Sequence, residues 1–184
     1  ASANGLSKFS GFETLIYDSA HTITMSANTS GINSFDLTGA TDQVLTLDLG
    51  YTGATAVTIK GDAANGDTVS NNANVALTVT ANMADLDGTL TGGTGTDTLN
   101  VTMDGATQTV LSTLTNFETI NVTSSTTAGT DGGLTMNNAN VAATKSMTVN
   151  ASTLASNEVF TFSAAAELSG SYTVTGGAAA DSLT

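Results

Sequence analysis

The sequence predicts an all-β protein: a parallel β-solenoid of short strands joined by Gly- and Asp-rich turns. Three observations carry that prediction. Runs of four to six residues alternate apolar side chains with Thr, Ser or Asn; clusters of Gly, Asn, Asp and Ser separate the runs; and the straight-chain helix formers Glu, Lys, Arg and Gln are nearly missing. With 184 residues the chain is long enough to bury a real core.

The alternating runs fall, in order, at Thr14–Tyr17, His21–Met25, Val44–Leu49, Ala56–Ile59 and Val75–Val79, then at Thr98–Met103, Thr119–Val122, Lys145–Val149, Val159–Phe162 and Ser171–Val174. Each puts its apolar residues on one face, as a half-buried strand must. Between them, Gly61–Asp67 and Gly132-Gly133 read as turns. A β-sandwich is the alternative architecture, because Asn65-Gly66, Asp87-Gly88, Asp104-Gly105 and Asp131-Gly132 are dipeptides that suit tight hairpins. Very short strands, abundant Thr and Asn, and only 5% aromatic residues favour stacked coils in which like side chains line up. The Thr-x-Thr pairs recur at wandering intervals, so the flat ladder that matches an ice surface is not expected of them.

An internal repeat supports the stack. Leu6–Leu15 and Leu111–Ile120 share the pattern L-S-x-[FL]-[ST]-x-F-E-T-[LI], and both run straight into a strand. The chain divides softly near Leu90, into modules 1–90 and 91–184 of one continuous solenoid. Glu13 and Glu118 occupy matching places in the two copies. Neither has a His, Arg or second carboxylate at a fixed offset in both, so each is expected to cap backbone N–H groups at a bend, with Phe12 and Phe117 closing the end of the core.

Charge narrows the function. Sixteen acidic residues against three Lys and no Arg give a net charge of -13, which argues against nucleic acid and anionic membrane as partners. No apolar run approaches the ~20 residues that span a bilayer. Cys is absent, so neither disulfides nor thiolate-bound zinc can staple the fold. The three lysines, Lys8, Lys60 and Lys145, lie in unrelated contexts, and no enzymatic activity is expected.

One stretch suggests where the carboxylates work. Gly92-Gly93-Thr94-Gly95-Thr96-Asp97-Thr98-Leu99-Asn100 fits the calcium-binding nonapeptide G-G-x-G-x-D-x-U-x residue for residue. Gly93 and Gly95 let the backbone turn its carbonyls inward, Asp97 adds charge, and Leu99 pins the next strand into the core. Aligned on their aspartates, Asp67 with Asp62 and Asn65 ahead of it, and Asp181 behind Gly176-Gly177, form degenerate copies. In Asp85-Leu86-Asp87, two carboxylates on one side of an extended segment invite a cation and complete the Asp97 site from a neighbouring coil. The bland reading of each Asp is a turn that hydrogen-bonds its own backbone.

The clean nonapeptide, the degenerate Gly176–Leu183 copy and the two Phe-Glu-Thr-[Leu/Ile] segments resemble secreted repeat-in-toxin proteins of Gram-negative bacteria, and among them calcium-dependent surface-layer proteins. The resemblance implies a Ca2+-binding solenoid, one-step (type I) secretion, an extracellular place on the cell surface, and self-association into a lattice or filament, with cell-surface polysaccharide as a further partner. A repeat module of a large calcium-dependent adhesin is the alternative. In that family the nonapeptides run in tandem and share their ions; here they are isolated, so an ion must recruit ligands from elsewhere. On this reading, divalent metal rather than an oily interior holds the loops shut.

Overall fold

The computed structural model describes residues 13–16, 19–26, 32–39, 41–53, 55–59, 66–108, 113–125 and 129–184. Its first nine strands are β1 Thr14–Ile16, β2 Thr22–Met25, β3 Ser34–Leu37, β4 Val44–Leu47, β5 Thr55–Ile59, β6 Thr68–Asn71, β7 Leu77–Asn82, β8 Thr89–Thr91 and β9 Thr98–Thr102. The rest are β10 Thr107–Gln108, β11 Leu114–Thr115, β12 Thr119–Thr123, β13 Gly132–Thr135, β14 Ser146–Asn150, β15 Phe160–Ser163, β16 Ser171–Thr175 and β17 Ser182–Leu183. The helical content among the described residues is a 3-10 turn at Met83–Asp85.

These strands build three parallel sheets, and the chain visits them in turn, which makes the fold a β-solenoid. The first sheet has the order β1-β3-β5-β7-β9-β12-β14-β16 and runs the length of the stack. The second, β11-β8-β6-β4-β2, covers its N-terminal part, and the third, β10-β13-β15-β17, covers its C-terminal part. The Met83–Asp85 turn packs beside β10, so the third wall begins as a helical turn before it becomes a sheet. Every strand pair is parallel, and none of the Asn-Gly or Asp-Gly dipeptides in the described residues closes a hairpin.

Register is kept although coil length is not. Thr78 stands opposite Thr98, 20 residues on, whereas Thr119 stands opposite Thr148, 29 residues on. Extra residues bulge out in the corners while backbone hydrogen bonding holds the strands in step. The wandering intervals of the Thr-x-Thr pairs therefore do not prevent a ladder. The two copies of the internal repeat fall on the same column too: Thr14 and Thr119 are joined through Ser34, Ala56, Thr78 and Thr98.

The interior is a stack of apolar columns. On the first sheet the backbone register joins positions 15, 35, 57, 79, 99, 120, 149 and 174, and of these Phe35, Val79, Leu99, Ile120 and Val149 are buried. On the second sheet it joins Ile23, Leu45, Val69, Leu90 and Leu114, all of them buried. This corrects the expectation that metal replaces an oily interior. Each coil buries β-branched and aliphatic side chains against the coils above and below, and that continuous burial is the main favourable term.

Gly132-Gly133 corrects a second expectation, since it forms the start of β13 instead of a turn. A Cβ on Gly132 would stand 3.0 Å from the sulfurs of both Met83 and Met103, so the missing side chain is what lets two thioethers fill that part of the core. The short polar strands β6 and β8 have too little apolar contrast to stand out in the sequence, whereas β3 alternates Ser34-Phe35-Asp36-Leu37 plainly yet is not among the expected runs; all three pair in register like the others.

Leu99, fully buried between Val79 and Ile120, is the test of the column. Leu99→Ala should cost about 2–5 kcal/mol, read as a lower urea midpoint with an unchanged slope. Gly132→Val should destabilise by overpacking, about 1–3 kcal/mol, although it raises β propensity.

Candidate functional site

The three aligned Gly/Asp motifs do not occupy equivalent corners. Asp67 precedes β6 on the second sheet, Asp97 precedes β9 on the first, and Asp181 precedes β17 on the third. What they share is an interaction across coils. Asp67 Oδ1 accepts the Gln43 N–H at 3.0 Å, Asp97 Oδ1 accepts the Leu77 N–H at 2.7 Å, and Asp181 Oδ1 accepts the Phe160 N–H at 2.9 Å. In each case the donor is the residue that stands opposite the aspartate in the preceding coil, one step before the paired strands begin.

The same brace recurs elsewhere. Asp131 Oδ1 accepts the Val159 N–H at 2.8 Å, and Glu118 Oε2 accepts the Asp97 N–H at 2.7 Å. A carboxylate at the start of a strand thus satisfies the last backbone donor of the ladder, a charge-assisted bond stronger than a neutral one. The bland expectation, an Asp bonded to its own turn, holds for Asp181, whose Oδ2 also accepts the Gly177 N–H at 2.6 Å. Glu118 does cap a backbone N–H, as its place in the repeat suggested, and Phe117 beside it is buried, but the capped group belongs to the neighbouring coil.

Asp97 differs from Asp181 at the second oxygen. It is wholly buried, and its Oδ2 has no hydrogen-bond partner. Asn71, at the end of β6, points inward on a column that holds Met25 and Leu47 in earlier coils, and it is buried as well. Its Nδ2 donates to Val75 O at 2.9 Å and to Asp97 Oδ1 at 3.4 Å, which leaves its own Oδ1 unpaired. Two buried orphan oxygens, one an acid and one an amide, therefore sit on directly linked side chains.

The turn beside them is tight. Gly93 has φ +116°, and a Cβ there would collide with the Asn71 carbonyl; a Cβ on Gly92 would lie 2.8 Å from Asp97 Oδ2 and collide with the Asn116 carbonyl. Glycine brings the loop against these oxygens, and Gly95 likewise passes close to the Val75 carbonyl. A cleft of about 480 Å3 opens along Gly93–Gly95, with Asn116, Glu118, Asn140 and Lys145 on its walls.

The other predicted ligands are not drawn into this corner. Asp85-Leu86-Asp87 is not extended: Asp85 ends the 3-10 turn and accepts the Asn82 Nδ2–H at 3.0 Å, and Leu86 is buried. Asp87 is exposed and packs against Gly66, ahead of Asp67. Leu86 dives into the core between the two acids, which is why the alternation rule for strands fails there. Asp62 and Asn65 lie outside the described residues. Among the described residues no group of three or more His, Asp or Glu gathers to hold a metal. Asn71 was missed by the sequence reading; its only signal was an amide where the column called for an apolar residue.

Burial raises the Asp97 carboxyl from 3.8 to about 6, with the Glu118 charge adding to the rise and the Leu77 and Asn71 hydrogen bonds opposing it. No family model, curated protein or solved structure matches the chain.

The shift has a defined sign. A carboxyl whose folded pKa lies above its unfolded value binds its proton more tightly when folded, so its contribution is full below about 3.8 and is lost as pH rises through about 6. In calcium-free buffer the wild type should therefore gain stability relative to Asp97→Asn between pH 7 and pH 4, measured as the difference in urea midpoints.

Proposed function

We propose that the chain is a structural, non-enzymatic β-solenoid of an extracellular, calcium-conditioned surface assembly. The observation that carries this reading is the buried Asp97 Oδ2, unpaired inside a Gly-rich turn and linked to the equally unpaired Asn71 Oδ1. An anionic oxygen sealed in the core without a donor costs free energy, and a hard cation relieves that cost. Asp97 and Asn71 are the side chains that would hold Ca2+, with the carbonyls of Asn71 and Asn116 beside the same turn as further oxygens. Bound there, the ion supplies positive charge at the point where the core is short of donors.

The remaining carboxylates support a structural role from another side. Asp67, Asp131, Asp181 and Glu118 are spent on backbone N–H groups, and Glu158 is spent on Ser124 and Ala155. Groups tied into the ladder are poor candidates for moving protons to a substrate. Where calcium is scarce the -13 charge and the unpaired Asp97 oxygen loosen the stack; where it is plentiful the ion satisfies that oxygen, and rigid coils become units that assemble at a cell surface.

At a free concentration a hundred times Kd, one such ion adds about 2.7 kcal/mol, a rise of about 5–10 °C in Tm for a domain this size. Melts in calcium and in chelator should differ by that amount at pH 7. The difference should shrink below pH 6, as protons compete for Asp97, and vanish in Asp97→Asn. An equal Tm in calcium and chelator at pH 7 would remove the proposal.

A further inference from the structure

From β7 to β16 the outward face of the first sheet is uncharged, which is unusual in so acidic a chain; Asp36, outward on β3, lies outside that stretch. Across β7, β9, β12, β14 and β16 every outward position is Thr, Ser or Asn. One rank is Thr throughout: Thr78, Thr98, Thr119, Thr148, Thr173. The next, two residues along each strand, is Thr80, Asn100, Asn121, Asn150, Thr175, with Asn121 donating to Asn100 at 3.0 Å. Both ranks are straight because the ladder fixes register whatever the coil length.

Such a face repeats in two directions, about 4.8 Å from strand to strand and about 6.7 Å along a strand. Its chemistry rejects most partners. It has no charge for a polyelectrolyte or a lipid headgroup, no aromatic ring for the face of a sugar, and no large apolar side chain for a hydrophobic docking. A second copy of the same face fits in shape but not in size. Five strands of five residues span about 24 by 17 Å, so a pair buries only about 800 Å2, below the ~1,000 Å2 a specific interface needs. Each copy also brings most of a -13 charge.

A partner remains that is itself a polar lattice. We propose that this face binds ice. The repeats lie close to the oxygen spacings on a prism plane of hexagonal ice, so Thr hydroxyls can take places in the water lattice while the methyls fill its gaps. Thr is β-branched and stiff at χ1, and the Asn rank is linked to itself, so little entropy is lost when the face meets an ordered surface. This reading does not depend on calcium at Asp97.

The test is the growth of single ice crystals in solutions of the chain, read as facet shape and as the gap between melting and freezing points. The wild type should facet the crystals and open a gap. Thr119→Lys, at the centre of the Thr rank, should reduce that gap at least several-fold without moving Tm. Thr98→Val with Thr119→Val keeps the side-chain shape and removes two hydroxyls, so it replaces the lysine variant should that fail to fold; it should also weaken the effect. Round crystals without a gap from the wild type would overturn the proposal, as would a gap untouched in folded variants. A dimer in sedimentation equilibrium that Thr119→Lys dissociates would assign the face to self-pairing instead.

Discussion

Parallel, in-register hydrogen bonding between successive coils is the constraint from which the rest of this structure follows. A parallel ladder repeats one residue per strand, so each coil inherits the inside and outside of the one before it. Once Val79 faces inward, Leu99, Ile120 and Val149 must follow, and once Thr78 faces out, so must Thr98, Thr119 and Thr148. The coil length is free, because the corners absorb it. The position within a strand is not, because a slip by one residue would turn an entire apolar column into water.

That constraint creates a problem at every corner, where the ladder stops and the next backbone N–H has no carbonyl opposite. Asp is well suited to that place. Its side chain is short enough to reach across one inter-strand spacing from the residue just before a strand, and its charge strengthens the bond. Much of the acidic excess is thus mechanical. Glu takes the same role at Glu118, where the chain leaves the buried Phe117 and the carboxylate accepts the Asp97 N–H. Asp181 shows the brace in its closed form, with both oxygens used, and Asp97 shows it half used. The two loops have the same spacing from Gly-Gly to Asp. Their difference is therefore a difference of surroundings: Asp97 lies in mid-stack, between Leu77 and Glu118 and against Asn71, where packing from both neighbours keeps the turn from folding back on its own carboxylate.

The architecture was legible in the sequence because it rests on local patterns that many residues share: alternation in Val44–Leu47 or Thr119–Thr123, turn chemistry between them, and no competing helical period. Apart from β3, the strands that escaped notice include those whose inward residues are single or small, such as Val69 in β6, Leu90 in β8 and the glycines of β13. They are strands because their neighbours are, which is information held in the stack and not in the segment. The candidate corner was half legible. Gly93, Gly95 and Asp97 announce a tight turn around a carboxylate, and the turn is there. Its second polar group, Asn71, comes from 26 residues upstream, and nothing in a linear reading ties those positions together. The Asp85-Leu86-Asp87 pair failed for the converse reason: alternation implies a shared face only in a strand, and a 3-10 turn had taken that place in the coil.

Between β7 and β16 the same register that gathers carboxylates at the corners leaves none on the flat. A residue on the middle of a strand face has its neighbours at about 4.8 Å in the coils above and below, so a charge there meets a like charge whenever the pattern repeats, while a hydroxyl or amide meets a partner. At a corner the carboxylate meets a backbone N–H and the penalty disappears. A chain that grows by stacking similar coils is therefore driven to sort its polar residues into charged edges and neutral faces, independently of what either is used for. The edges then become the places where a cation can matter and the face the place where a regular surface can. The two lie on different residues of the same coil: Asp97 is turned inward at the start of β9, and Thr98, its neighbour in the chain, is the first residue turned out.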